Sequence, residues 1–398
     1  MIEGGYGLSG RRLRVFSRSR HFLKPVSGNQ FDGGYKMSAK KRLSFVFIGL
    51  TFFLLTFSHS STASAKTIKM NLTHVFPATH PIAAALQYFS DQIFKRTDGK
   101  VKITVFPAGT LISSAKLYDG IVTGIVDIGS PAVAYTPGRL PASEAVHVPL
   151  PSKTAWVTTH IADDFQRKFD PKETHDVHVL FAHACGNYII GTCKKPARRI
   201  EDFRGLKMRA SGAAGVAYAE ALGASPEAMP MGEVYEAAAK GVIDSLLVPF
   251  ETMKAFKHAE VTKYITVPPV SFCNTQLVCM NLKKWNSLPK DIQKIFTEVS
   301  SEMPEKIART WWYIDIKARD YFLALDKGRE IIQIPAEEKP KWEEVTAPLV
   351  KNYIKATEAK GLPAAEYVKY VQERAQYWND HQMDEKACIE WVEKNVVK

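Results

Sequence analysis

Apolar and polar positions alternate from Thr67 to His74 (TIKMNLTH), which predicts a β-strand. Phe76-Pro77 and His80-Pro81 break that run, and Pro81 suits the first turn of a helix. Ile82, Leu86, Phe89 and Ile93 then recur at helical spacing, with Gly99 where the helix should stop. Val101, Ile103 and Val105 mark a second strand, Ser113 to Val122 a second helix, and Ile125 to Ile128 a third strand. A β-α-β-α-β order predicts a sheet flanked by helices.

The next stretch, GSPAVAYTPGRLP, is rich in turn residues and carries Tyr135 and Arg139. Thr154 to Phe169 reads as a helix, and Asp176 to Ala184 as a buried strand that Tyr188 to Thr192 continues beyond a Gly186-Asn187 break. That break is the expected crossover into a second lobe. Ser271 to Met280 is the expected return strand, and KAFKHAEVTKYITVPPV before it should already lead back toward the first lobe. Leu288-Pro289 opens a helical region reaching about Asp326, in which Pro304 predicts either one bent helix or two separate ones. Glu330 to Ile334 is a short strand. Helices over Ala336 to Lys360, Pro363 to His381 and Glu385 to Val397 complete the chain, the last either capping the fold or meeting a partner.

Gly205 to Glu251 alternates strand, turn, helix, short strand, helix and strand, with turn residues at each change. Arg209 ends its first strand just before Ser211-Gly212, where a cation suits an anionic ligand better than catalysis. The second half of this stretch has an echo. Leu117-Tyr118-Asp119 with Gly124-Ile125-Val126-Asp127 matches Val234-Tyr235-Glu236 with Gly241-Val242-Ile243-Asp244, every matched pair standing 117 residues apart. Two copies of one helix–glycine–strand unit predict two similar α/β lobes.

Composition adjusts this picture in three places. The 398 residues are 45% hydrophobic and 24% charged, the balance of a globular protein with a sizeable core. The net charge of +12 belongs mostly to residues 1–65, whose ten Lys and Arg face only Glu3 and Asp32; about +4 remains for the rest, which argues against a nucleic-acid partner. From Met37, a basic MSAKKR, an apolar run over Leu43 to Phe57 and Ala63-Ser64-Ala65 form a secretory signal peptide with cleavage expected after Ala65. Residues 1–36 read as an over-extended, disordered start. Export permits disulfides. Of the five cysteines, Cys185 and Cys193 flank a turn and are a candidate pair, whereas Cys273 and Cys279 on one strand lie about 20 Å apart, beyond reach. No CxxC occurs, so neither a metal nor a redox site is expected, and no cofactor.

The central stretch resembles the signature of the extracytoplasmic substrate-binding proteins of tripartite ATP-independent periplasmic (TRAP) transporters. The residues that carry the resemblance are Gly205-Leu206-Lys207-Met208-Arg209, Leu222-Gly223-Ala224, Met229-Pro230, Glu233-Val234-Tyr235 and Gly241-Val242-Ile243-Asp244. Phe76-Pro77, His80-Pro81, Pro107-Ala108-Gly109, Pro137-Gly138-Arg139 and Leu288-Pro289 fit as well, so it spans about residues 66–380. It implies an α/β, two-lobed periplasmic-binding-protein fold (type II-like) with two crossover strands and a long bridging helix. The lobes would comprise 66–185, 186–273 and the return 274–315, with 316–398 completing the helix and a C-terminal helical region. It also implies a periplasmic, monomeric receptor that closes on an organic acid and hands it to membrane permease subunits. In that family the arginine of G-x-K-x-R, here Arg209, pairs with the ligand carboxylate; its planar fork of donors fits a carboxylate and stays charged when buried.

Two departures matter. Sialic-acid-binding members carry a second arginine about twenty residues earlier, near Ile189 here, and an Asn where this chain has Val248. The pocket therefore reads as less polar than one built for a sugar acid. Phe76, Tyr135, Tyr188, Met231 and Phe250 are its expected walls, favouring a monocarboxylate with an apolar or aromatic body. Asn187 either donates to the ligand or forms the Gly186-Asn187 turn. Glu251 holds a ligand hydroxyl or a cation, or is a solvated carboxylate at a helix start. His74 either lines the pocket or is a buried core histidine. An exported enzyme and a ligand-sensing subunit are the alternatives; GxSxG, HExxH, a phosphate loop and a cofactor fingerprint are all missing from the sequence.

Overall fold

A computed structural model describes residues 67–326 and 328–396. The expected signal peptide and its cleavage site lie outside them. Among the described residues, eleven strands fall into two sheets. The first holds β1 (Ile68–His74), β2 (Val101–Phe106), β3 (Ile128–Ser130), β4 (Val177–Ala184) and β10 (Thr275–Asn281), in the order β2-β1-β3-β10-β4. The second holds β5 (Tyr188–Thr192), β6 (Lys207–Ala210), β7 (Ser225–Ala228), β8 (Ser245–Pro249), β9 (Tyr264–Val267) and β11 (Glu330–Gln333), in the order β11-β9-β5-β8-β6-β7. Strand β1 pairs in parallel with β2 and β3, and β6 with β7 and β8, while β10 and β5 run antiparallel to their neighbours. The protein is a two-lobed α/β fold whose chain crosses between the sheets after Ala184, again after Val267, and a third time between Asn281 and Glu330.

That second crossing falls later than the sequence pattern suggested. Tyr264–Val267 stays in the second sheet, antiparallel to β5, and only beyond Pro268-Pro269 does Ser271 reach the first lobe at Leu150. The third strand also starts later, at Ile128 instead of Ile125. Gly124 holds a left-handed φ of +80°, and the turn it makes leaves Ile125 61% exposed.

The echoed unit is the same structure twice. Helices α2 (Leu117–Val122) and α5 (Val234–Ala239) each end at a left-handed glycine, Gly124 or Gly241. Val126 and Ile243 are then buried, and their neighbours Ile125 and Val242 exposed. Asp127 and Asp244 each accept a backbone N–H from the adjacent strand, of Asn71 at 2.9 Å and of Lys207 at 3.2 Å. One copy leads into β3 of the first sheet, the other into β8 of the second.

Around the sheets lie α1 (Pro81–Arg96), α3 (Ala155–Phe169), α4 (Gly212–Ala221), the short α6 (Thr252–Ala255) and α7 (Leu282–Ser287), and α8 (Lys290–Ala324). Pro304 does not divide α8, a single 35-residue helix. Ile292, Phe296, Val299, Met303, Ile307, Trp311, Ile314, Ala318 and Phe322 keep one uninterrupted apolar face on it, all buried, and this packing outweighs the one backbone bond that proline removes. The face runs from the core of the first lobe into that of the second, where Ala318 and Phe322 lie.

Three helices follow: α9 (Lys339–Glu358), α10 (Ala364–Asp380) and α11 (Glu385–Asn395). Trp342 of α9 packs edge-on against Phe203 of the second lobe, while Tyr353 donates to Pro141 O of the first, so α9 also spans both. Helix α11 caps the fold by burying Cys388 and Val392, with the Arg309 guanidinium over Trp391. All five cysteines are free thiols, strand β5 separating Cys185 from Cys193. Among the described residues, no helix is long and apolar enough to cross a membrane.

Candidate functional site

Arg209 lies on β6 between β7 and β8, and its side chain is completely buried. Its Nε and Nη2 donate to Met229 O at 3.2 and 3.0 Å, and its Nη1 donates to Leu247 O at 3.0 Å. A guanidinium has five N–H donors, so these three bonds leave two. No carboxylate is paired with it among the described residues. Carbonyl dipoles alone offset only part of the cost of burying a full charge, and an anion would complete the arrangement.

The two residues whose carbonyls hold Arg209 each stand two positions before a chamber wall residue, Met231 or Pro249. This chamber, a cavity of about 30 Å³ as the lobes stand, lies between them, so they must part to admit a ligand. Phe76, Tyr135, Tyr188, Met231 and Glu251, five of the expected site residues, line it together. Trp311 of α8, with Asn274 and Gln276 from the return strand, complete its polar and aromatic wall. Phe76 packs edge-on to Trp311 at 5.6 Å, and the Trp311 Nε1–H donates to His183 Nδ1 at 3.1 Å.

Three contacts join the lobes around the chamber. The Tyr135 hydroxyl accepts the Met231 N–H at 2.9 Å. Gly212 at the start of α4 meets Ala134 so closely that a Cβ there would lie 3.0 Å from the Ala134 Cα. His80 Nε2 lies 3.0 Å from Glu251 Oε2, both side chains buried. Because His80 Nδ1 accepts the Ile82 N–H at the first turn of α1, the ring proton sits on Nε2 and is donated to Glu251. The Glu251 N–H is donated in turn to Asp315 Oδ1 on α8 at 3.0 Å. Burial, and next the negative charge of Glu251, hold the Asp315 carboxyl well above the usual carboxylate range.

Glu251 is therefore not the solvated helix-start carboxylate that its sequence context allowed; it is 3% exposed and tied to His80. Arg209 does not line the chamber, and nor do Asn187 and Phe250. The last two line a separate cavity with Trp312 and Arg319, where the Asn187 amide donates to Ser152 O at 2.6 Å and accepts from the Ser152 hydroxyl at 2.9 Å. Asn187 thus braces the crossover turn. His74 is fully buried at 5.8 Å from Phe76 and does not line the chamber; burial first, then His80, lowers its pKa to about 4. Ile189 and Val248, which stand where sugar-acid binders carry polar groups, are cross-strand partners and both buried.

The pattern along the chain did not single out Trp311, which follows the core spacing of α8 like any other apolar residue. Gln276 had a visible signal: it is an uncharged polar residue beside the apolar run Leu277–Met280 of a fully buried strand. Among the described residues, no group of three or more His, Cys, Asp or Glu is placed to hold a metal ion.

Comparison with known proteins agrees with this architecture. The C4-dicarboxylate-binding periplasmic protein DctP of Rhodobacter capsulatus is 27% identical, over 78% of this chain and 92% of that one. A marine metagenome TRAP solute-binding protein specific for aromatic acid ligands, solved with 3-hydroxybenzoate, is 26% identical with a TM-score of 0.74, covering 78% of this chain and 99% of its own. A TRAP periplasmic solute-binding protein of Bordetella bronchiseptica with bound (R)- and (S)-mandelate is 27% identical with a TM-score of 0.72, covering 78% and 99%. The model of the bacterial extracellular solute-binding protein family 7 matches residues 72–356. Such proteins are periplasmic, bind small molecules and work with membrane permease subunits. With that match over most of its length, this chain belongs to the bacterial extracellular solute-binding protein family 7, as a TRAP extracytoplasmic solute-binding protein.

Proposed function

We propose that the chain is an exported receptor for an aromatic or apolar monocarboxylate, which it captures by lobe closure and passes to permease subunits. The carrying observation is Arg209, a buried guanidinium without a carboxylate partner; it does not itself line the chamber, but it holds the Met229 and Leu247 carbonyls two residues before the wall residues Met231 and Pro249. Its two remaining N–H groups suit one carboxylate. No Lys or Arg, Arg209 included, lines the chamber among the described residues, so only a carboxylate that reaches past the wall to Arg209 gains a counter-charge and a second would be desolvated without one. That disfavours a dicarboxylate, although one relative is named for C4-dicarboxylates. Phe76, Tyr188 and Trp311 supply apolar surface of the kind an aromatic ring fills. The two solved neighbours, with 3-hydroxybenzoate and mandelate bound, support the same class.

The test is a thermal titration of the purified protein against benzoate, phenylacetate, hexanoate, succinate and malate. A ligand of the folded form raises Tm as its concentration passes its Kd. Benzoate, phenylacetate or hexanoate should do so, and Arg209→Lys should weaken the effect because the fork is lost. A response to succinate and malate alone would sink the monocarboxylate reading.

A further inference from the structure

The carboxylate end of the proposed ligand leaves one wall group unaccounted for. Gln276 on β10 lines the chamber, is 5% exposed, and its Oε1 has no hydrogen-bond partner. Within the sheet Gln276 pairs in register with His183 of β4, whose ring nitrogens are taken by Trp311 and Ser130, and it bridges Ala132. A buried carbonyl oxygen without a donor is costly, and native interiors rarely leave one so. Three other side chains on the wall already accept a bond, although Glu251 engages only its Oε2. Glu251 takes the His80 proton, the Asn274 Oδ1 takes the Ala134 N–H at 3.4 Å, and the Tyr135 oxygen takes the Met231 N–H.

We propose that Gln276 is the specificity-determining residue of the chamber, accepting a hydrogen bond from a hydroxyl on the body of the ligand, so that the receptor selects hydroxylated aromatic acids over their unsubstituted counterparts. This rests on the monocarboxylate reading above. An unsubstituted ring closing over Gln276 would seal its oxygen from water with no donor in exchange. A hydroxylated ring supplies the donor. Sites built to bond a hydroxyl reject the analogue lacking it far more strongly than apolar pockets reject an added methylene.

The experiment measures Kd by calorimetry for benzoate against 3- and 4-hydroxybenzoate and for phenylacetate against mandelate, in the wild type and in Gln276→Leu. At least one hydroxylated acid should bind about tenfold or more tighter than its parent in the wild type, and Gln276→Leu should bring that ratio to near unity while the parent acid binds as well or better. Gln276→Met serves if the Leu variant does not fold. Gln276→Glu keeps an acceptor beside an added charge, so it should weaken every acid yet retain the hydroxyl preference. An equal ratio in wild type and Gln276→Leu, or no hydroxyl preference in the wild type, overturns the proposal while leaving the monocarboxylate reading intact. Failure of all these acids to bind the wild type overturns that reading, and this proposal with it.

Discussion

His80 Nε2 stands 3.0 Å from Glu251 Oε2, and this buried pair fastens the first turn of α1 in one lobe to the start of α6 in the other. A hydrogen bond to a carboxylate inside the protein contributes about 1.5–3 kcal/mol. It exists only when the lobes meet, so its energy belongs to closure. His80→Ala should raise the ligand Kd about tenfold, chiefly through a faster off-rate, and should lower the unliganded melting temperature modestly because the α1 cap is lost as well. Stopped-flow release of ligand checks it; an unchanged off-rate would show that the pair does not hold the lobes together.

Gly212 offers a second handle on closure. Its φ is +66°, and an added Cβ would lie 2.8 Å from the Ala134 Cβ and 3.1 Å from its carbonyl oxygen. Gly212→Ala should therefore cost about 1 kcal/mol in backbone strain and a further 1–3 kcal/mol wherever the two lobes are pressed together. Small-angle scattering should show a liganded protein that stays more open than the wild type. A fully compact liganded form would contradict this.

Arg209 has one observed role and one proposed role that substitution can separate. It holds the Met229 and Leu247 carbonyls, just beyond β7 and in the middle of β8, and its two remaining N–H groups are proposed to meet the ligand. Arg209→Ala should abolish measurable capture, a loss of about 2–5 kcal/mol, and should also lower the unliganded Tm. Arg209→Lys retains a charge but no fork, so affinity should fall further than stability. Calorimetry and thermal melts on the same samples decide it; equal stability in all three proteins would mean the carbonyl bonds contribute nothing.

Acid should loosen the fold over a definable window. His147 and His183 are buried with one ring nitrogen already accepting, from the Thr275 N–H at 2.9 Å and from the Trp311 indole at 3.1 Å. Burial lowers their pKa to about 4 and about 3. In the unfolded chain both return to about 6.5, so below that pH the unfolded state binds more protons and stability falls as pH drops toward 4. Each histidine contributes a slope of about 1.4 kcal/mol per pH unit in that window and none above it. Urea midpoints measured from pH 8 to pH 4.5 should be level at first and then fall, with a shallower fall in His147→Gln. Identical slopes for the two proteins would remove His147 from the account.

Local periodicity and turn chemistry made much of the fold legible. The alternation of TIKMNLTH, the Ile82–Ile93 spacing and the echo of Tyr118 in Tyr235 each mark structure that the residues themselves determine. Tertiary context decided the rest. Ile125 looks like a strand residue but falls in a turn beside Gly124, and Tyr264–Val267 stays in the second sheet because β5 offers it an edge there. Pro304 would end an isolated helix, yet cores at both ends hold α8 together. Arg209 was expected at the site from its strand-end position and the family resemblance, whereas the chamber wall is formed by others of the expected residues, Phe76, Tyr135, Tyr188, Met231 and Glu251. The burial of Glu251 depends on His80, 171 positions away, and no local pattern carries that.

The order of strands in the first sheet bears on how the protein is made. Strand β10 lies between β3 and β4, so β4 has no neighbour in its own sheet until residues 275–281 have arrived. By then the whole run from β5 to β9 has emerged from the ribosome or translocation pore. An early half of this protein therefore presents an unfinished, apolar strand edge for the time needed to synthesise about a hundred residues, an edge that invites self-association. The first lobe therefore cannot lock until most of the second has been made.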